Sequence, residues 1–134
     1  MTIPVSTDAA ILAKFIHLDP KPIAVKWSVS EKGEGEVFGP SDSSLYALLT
    51  YADADFAKVA AKLASGQKLP AASVDVLPPW LSEEADLKSF KTNTGYDFTG
   101  QALPADPYLA SPYSDGFAVT FSHSRTILVY GFSR

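Results

Sequence analysis

Four stretches of the chain carry apolar residues in the patterns that β-strands show. Residues 23–30 alternate strictly, with Trp27 on the apolar face, and this predicts a strand in a sheet that is wet on one side. Residues 44–51 are apolar on both faces, which favours a central or covered strand. Residues 117–122 and 126–132 alternate about a tight turn and predict a C-terminal hairpin.

Three further stretches have the spacing of amphipathic helices. They are residues 7–18, 53–65 and 82–90. Ser6, Thr7 or Asp8 is available to cap the first of them, and the prolines after residue 18 end it.

The order of these elements predicts the fold class. The strands come in adjacent pairs and do not alternate singly with helices, which favours an α+β fold over a doubly wound parallel sheet. We therefore predict one antiparallel sheet of about four strands with the helices packed mainly on one face. With 134 residues and no linker-like tract, the chain is predicted to be a single domain, 1–134.

Charge and composition exclude several classes of partner. The net charge is −4 and the 11 basic residues are scattered, which argues against a nucleic-acid-binding surface. No apolar run approaches the roughly 20 residues that span a bilayer, so we expect no membrane insertion. The first residues lack the basic start of a signal peptide, and this predicts a cytoplasmic protein. The alternative is an exported domain whose signal has been removed; the absence of cysteine fits either location.

The segment 91–116, KTNTGYDFTGQALPADPYLASPYSDG, fits no regular pattern and is rich in aromatic residues. We call it the aromatic segment. It is far longer than the usual connection of about 4–6 residues, which is typical of a binding loop or of a flap that covers the core. Together with a preceding tryptophan it supplies the candidate binding residues. They are Trp80, Tyr96, Phe98, Tyr108, Tyr113 and Asp115.

Two interpretations of these aromatic side chains stay open. They could line an apolar pocket or recognition surface, because aromatic rings with polar tips are common in such sites. They could instead anchor the segment over the sheet and complete the core, since large rings contribute most per residue to burial.

Catalytic and metal chemistry has little support in the sequence. Asp53 and Asp55 lie at a helix start, where carboxylates serve as caps, and the two histidines are isolated in the chain. We predict no metal, no cofactor and no catalytic residue. An enzyme is the alternative, a small hydrolase or isomerase in which Asp97, Asp106 or Asp115 converge in a cleft.

Two strings, WSVSEKGEGEVFGPSDSSLYALLTY (27–51) and SPYSDGFAVTFSHSRTILVYGF (111–132), carry a resemblance. The chain resembles a diffuse set of small uncharacterised bacterial proteins. In these, a tryptophan-bearing strand leads through a Gly-Pro-Ser/Thr-Asp turn into a second strand, and a Ser-Pro-x-Ser-x-Gly-Phe turn opens the last hairpin. The resemblance implies a single domain with this hairpin and no particular activity.

The sequence thus predicts a non-catalytic binding or interaction module that uses the aromatic segment. Immunity proteins and accessory subunits are examples of this class, and the partner would be another protein or a small apolar molecule. A third alternative is a protein that sequesters a small molecule in an aromatic pocket. Both a monomer and a homodimer are compatible with the sequence.

Overall fold

The structure is a computed structural model that describes residues 3–18, 21–31, 43–64, 73–74, 79–82, 85–88, 90–93, 95–98, 101–105, 108–109, 115–121 and 124–132. Within these ranges the chain forms eight strands and four helices. In chain order the elements are β1 (Ile3–Ser6), α1 (Ala9–Leu12), β2 (Ala24–Glu31), β3 (Ser43–Thr50), α2 (Asp53–Ala64), β4 (Ser73–Val74), α3 (Pro79–Ser82), α4 (Ala85–Lys88), β5 (Tyr96–Asp97), β6 (Leu103–Pro104), β7 (Asp115–Phe121) and β8 (Thr126–Phe132).

Six of the strands form one antiparallel sheet in the order β1-β2-β3-β8-β7-β6. The two predicted strand pairs, β2–β3 and β7–β8, are both present. The pairing of β3 with β8 joins them, with Tyr46 opposite Tyr130. The central position of β3 explains why its sequence is apolar on both faces. The α+β class is thus confirmed, and so is the antiparallel sheet.

The sheet has six strands where about four were predicted. The two additional strands lie at its edges, β1 beside β2 and β6 beside β7. β1 has four residues and β6 has two, so neither is long enough to show alternation. Each contains a proline, which lacks a backbone donor and is tolerated at a sheet edge. β4 and β5 form a separate two-stranded sheet.

One face of the sheet, which we call the first face, is covered by α1, α2 and residues 103–105 and 108–109. α2 matches its predicted range closely and buries Phe56, Val59 and Leu63. The predicted helix over 7–18 is much shorter, because α1 ends at Leu12. Beyond it, Ile16 forms a β-bridge with Leu109, although its backbone N–H still donates to the carbonyl oxygen of Leu12 at 3.1 Å. At His17 the helical pattern is replaced by a tertiary hydrogen bond, because its N–H donates to the carbonyl oxygen of Tyr108 at 2.8 Å.

The opposite face, the second face, is also covered, so the prediction that the helices pack mainly on one face is wrong. Leu81 of α3, Leu87 of α4 and Phe98 are all fully buried against it. The predicted helix over 82–90 is replaced by α3 and α4, two single-turn helices. The prediction that the other face of β2 is exposed to solvent is likewise wrong at Ser28, which is only 8% exposed.

The turn between β7 and β8 is attached to the start of α2. Arg125 has a left-handed backbone, with φ of 52°. Its carbonyl oxygen accepts a hydrogen bond from the backbone N–H of Tyr51 at 2.9 Å. Its side chain Nε lies 2.9 Å from Asp53 Oδ1. Asp53 is in the first turn of α2, so its ion pair with Arg125 connects this helix to the β7–β8 turn.

Candidate functional site

The structure separates the predicted binding residues. Phe98 is fully buried on the second face, whereas Tyr108 is 4% exposed and lies on the first face. The sheet lies between these two rings, so they do not contribute to one recognition surface. Tyr113 and the side chain of Asp115 lie outside the described part of the chain. For Phe98 and Tyr108 the structure supports the other interpretation, in which the aromatic segment completes the core.

Phe98 belongs to a continuous row of rings on the second face. Its ring centroid lies 4.9 Å from that of Phe90 and 5.6 Å from that of Phe117. Phe117 continues the row to Tyr130, at 5.2 Å. Aromatic pairs in tilted arrangements of this kind stabilise by about 0.5–1.5 kcal/mol each beyond their burial. The role of Phe98 is therefore to hold the aromatic segment on the sheet.

Tyr108 is held by a second buried tyrosine. The hydroxyl oxygens of Tyr51 and Tyr108 are 2.9 Å apart and share a hydrogen bond. Burial raises the pKa of Tyr108 far above its ordinary value, and the neighbouring Tyr51 raises it further. Burial also raises the pKa of Tyr51, although the hydrogen bond shared with Tyr108 partly opposes this shift. Both hydroxyls are therefore harder to ionise than that of an exposed tyrosine.

The tyrosine pair predicts a loss of stability in alkali. Because both folded-state pKa values are raised, the contribution of the pair is complete below the ordinary value of 10.0 and is lost as the pH rises above it. We expect the double substitution Tyr51→Phe and Tyr108→Phe to flatten this alkaline loss. Urea unfolding at a series of pH values measures it, with Tyr96→Phe as the control. Parallel pH curves for the wild type and the double variant would contradict the assignment.

Trp80 and Tyr96 differ from the two buried rings because both are half-buried. The indole Nε1 of Trp80 donates a hydrogen bond to Ser28 Oγ at 2.9 Å, and Lys26 Nζ lies 5.5 Å from the ring centroid. These contacts fix the ring over β2 and explain why Ser28 is buried. A recognition surface built from Trp80 and Tyr96 stays a prediction.

A pocket of about 370 Å³ lies beside α1, the helix that packs on the first face. We call it the α1 pocket. The described residues that line it are Ala9, Ala10, Ala13, Ile16, His17, Leu18, Lys21 and Pro22. The sequence interpretation missed it because residues 7–18 were assigned to one continuous helix. The available signal was three alanines within five positions, followed by two prolines, since small side chains leave space and prolines end a helix.

The walls of the α1 pocket are fixed by a helix cap and by contacts to two other parts of the fold. Asp8 Oδ1 accepts a hydrogen bond from the N–H of Ile11 and caps α1 at 3.1 Å. The indole of Trp27 in β2 donates to the carbonyl oxygen of Asp8, also at 3.1 Å. The N–H of His17 donates to the carbonyl oxygen of Tyr108 at 2.8 Å. The aromatic segment therefore holds one wall of this pocket through its backbone.

The lining of the α1 pocket combines apolar residues with two exposed residues that can carry positive charge. Its apolar members include Ile16, which is 1% exposed, while His17 and Lys21 are exposed. Among the described residues of the lining there is no carboxylate; Asp19 lies outside the described part of the chain. Among the residues that the structure describes, no group of three or more histidine or acidic side chains is placed to hold a metal ion.

No protein-family model, curated protein or solved structure matches this chain. The resemblance to small bacterial proteins therefore stays a prediction. In the described ranges no helix is both long and apolar enough to cross a lipid bilayer.

Proposed function

We propose that this protein is a non-catalytic binding module and that it holds a small apolar molecule in the α1 pocket. The observation that carries the proposal is the pocket itself. Its volume of about 370 Å³ lies at the lower end of the range of about 300–1,000 Å³ typical of ligand sites. A molecule of modest size, with a short aliphatic body, fits this space.

The lining supports an apolar ligand. Small alanine side chains form one side, and Leu18 and Pro22 are half-buried around the buried Ile16. Burying apolar ligand surface here is favourable by about 25 cal/mol per Å². The hydrogen bonds at Asp8 and His17 fix the backbone around the pocket before a ligand arrives, which lowers the ordering cost of binding.

A protein partner is the second candidate, and the partial exposure of Trp80 and Tyr96 favours it. Tryptophan and tyrosine are common at the centres of protein interfaces. The hydrolase or isomerase alternative needs converging carboxylates. Of Asp97, Asp106 and Asp115, only the Asp97 side chain belongs to the described part of the chain, and it is exposed.

Filling the α1 pocket is expected to abolish binding. Ala10 and Ala13 are exposed members of the lining, so replacing both with leucine occupies the space without disturbing the core. Calorimetric titration with octanol should show saturable binding to the wild type and an affinity at least tenfold lower in the double variant. The matched control is Ala57→Leu, an exposed alanine on α2 outside the lining. Equal octanol affinity in the wild type and the filled variant would refute the site.

A further inference from the structure

We infer that Tyr108 is a positioning residue of the α1 pocket, and that its hydroxyl bond with Tyr51 sets how tightly the pocket holds its ligand. The inference rests on the proposed function and names a residue that acts on the site through the pocket wall. Three hydrogen bonds carry it. They connect the wall at His17 to Tyr108, Tyr108 to Tyr51, and Tyr51 to the β7–β8 turn.

The first connection joins the pocket wall to the aromatic segment. His17 is a lining residue, and its N–H donates to the carbonyl oxygen of Tyr108 at 2.8 Å. Ile16, also in the lining, forms its β-bridge with Leu109. Two neighbouring residues of the wall thus pair with two neighbouring residues of the aromatic segment. The position of this part of the wall therefore depends on where Tyr108 lies.

Tyr108 is in turn fixed to the sheet. Its N–H donates to the carbonyl oxygen of Ala105, directly after β6, at 2.8 Å. Its hydroxyl oxygen lies 2.9 Å from that of Tyr51. The N–H of Tyr51 donates to the carbonyl oxygen of Arg125 at 2.9 Å, which places Tyr51 between the end of β3 and the start of β8. The tyrosine pair therefore connects the pocket wall to the two central strands.

A buried bond between two hydroxyls makes single and double substitutions differ. Removing one partner leaves the other hydroxyl buried without a hydrogen bond, which is costly, whereas replacing both with apolar groups of the same shape can be nearly neutral. Tyr51 and Tyr108 are 1% and 4% exposed, so this rule applies to them. Tyr51→Phe therefore favours movement of the Tyr108 ring toward water, and with it the carbonyl group that holds His17.

Calorimetric titration with octanol tests the inference. We expect Tyr51→Phe to bind octanol about threefold to tenfold more weakly than the wild type. The double variant Tyr51→Phe and Tyr108→Phe should recover an affinity within about twofold of the wild type, because no hydroxyl is then left without a partner. A purely structural loss would not be reversed by removing a second hydroxyl.

The matched control is Ser28→Ala. It also removes a buried hydroxyl from a hydrogen bond, here the one that Ser28 Oγ accepts from the Trp80 indole on the second face. It should leave octanol affinity unchanged, because this bond has no connection to the pocket wall.

Amide hydrogen exchange gives a second readout, which needs no ligand. In Tyr51→Phe we expect the His17 N–H to exchange about threefold to tenfold faster than in the wild type, and the double variant to return toward the wild-type rate. The reference is the Asp97 N–H, which donates to the carbonyl oxygen of Phe90 at 3.0 Å. Its exchange should be much less affected, since Phe90 packs on the second face.

The outcomes separate this inference from the proposed function. Saturable octanol binding that is equal in the wild type and Tyr51→Phe would overturn the role of Tyr108 and leave the pocket as a binding site. A double variant that binds no better than Tyr51→Phe, an equal loss in Ser28→Ala, or an unchanged His17 exchange rate in Tyr51→Phe would also overturn it. Absence of saturable binding to the wild type would overturn both the inference and the proposed function.

Discussion

Replacing Trp27 with alanine is expected to lower the free energy of unfolding by about 3–5 kcal/mol. The side chain is fully buried on the first face, and its ring centroid lies 5.6 Å from that of Phe15. The substitution leaves a large cavity and also removes the hydrogen bond to the carbonyl oxygen of Asp8. Urea unfolding measures the change, and a loss below about 1 kcal/mol would contradict this core position.

The milder variant Trp27→Phe links this residue to the α1 pocket. It keeps most of the ring but lacks the indole N–H that holds Asp8 at the start of α1. We expect a stability loss of about 1 kcal/mol together with weaker octanol binding. Trp80→Phe removes an equivalent indole hydrogen bond on the second face and should leave octanol affinity unchanged. Equal octanol affinities in both variants would show that the anchoring of Asp8 has no influence on the pocket.

Replacing Gly116 with alanine is the second large effect that we expect. Gly116 lies opposite Gly131 in the β7–β8 pair. A methyl group at Gly116 would overlap the carbonyl oxygen of Tyr130 and would lie 2.9 Å from Gly131 Cα. Since these are backbone atoms of a central strand, they cannot move aside as a side chain would. The expected cost is about 3 kcal/mol, the upper part of the usual range for overpacking.

Thermal unfolding measures the Gly116→Ala effect, and a decrease in Tm of roughly 10 °C corresponds to this cost in a domain of this size. Thr120→Ala changes a half-buried residue of the same strand and should cost less than about 1 kcal/mol. An equal Tm for Gly116→Ala and the wild type would mean that the two strands are farther apart at this point than the structure shows.

The strands were predictable because their alternation is local. The apolar positions of β2, β3, β7 and β8 follow the period of two that a pleated strand imposes, and turn residues separate them. Their predicted bounds agree with the structure to within about two residues, the usual uncertainty of strand and helix ends. Helix α2 was equally clear, since Phe56, Val59 and Leu63 form one apolar stripe.

The covering of the second face was not predictable from local pattern. Ser28 and Lys26 have the sequence signature of a wet face, yet Trp80 lies over both, and its position depends on α3 packing far along the chain. The shortening of the first helix has a similar origin. Residues 13–18 have helical periodicity, but the bridge from Ile16 to Leu109 joins positions that are distant in sequence. Tertiary pairing overrides propensity in both cases.

The candidate site could not be predicted from local sequence pattern either. Rings in an irregular segment indicate either binding or burial, and composition does not distinguish between them. For Phe98 and Tyr108 the distinction required knowing which face of the sheet each one meets. The α1 pocket depends on space between α1 and residues 16–18 and 21–22, which becomes visible only when the helix is known to end at Leu12.

The two tryptophan indole N–H signals in the NMR spectrum test the central claim most directly. The chain has two tryptophans, and one lies near each candidate site. The Trp27 indole N–H donates a hydrogen bond to the carbonyl oxygen of Asp8 beside the α1 pocket. The Trp80 indole N–H donates one to Ser28 Oγ on the second face. On titration with octanol, binding in the α1 pocket predicts a saturable shift of the Trp27 signal and an unchanged Trp80 signal. A saturable shift of the Trp80 signal with no change at Trp27 would contradict the account.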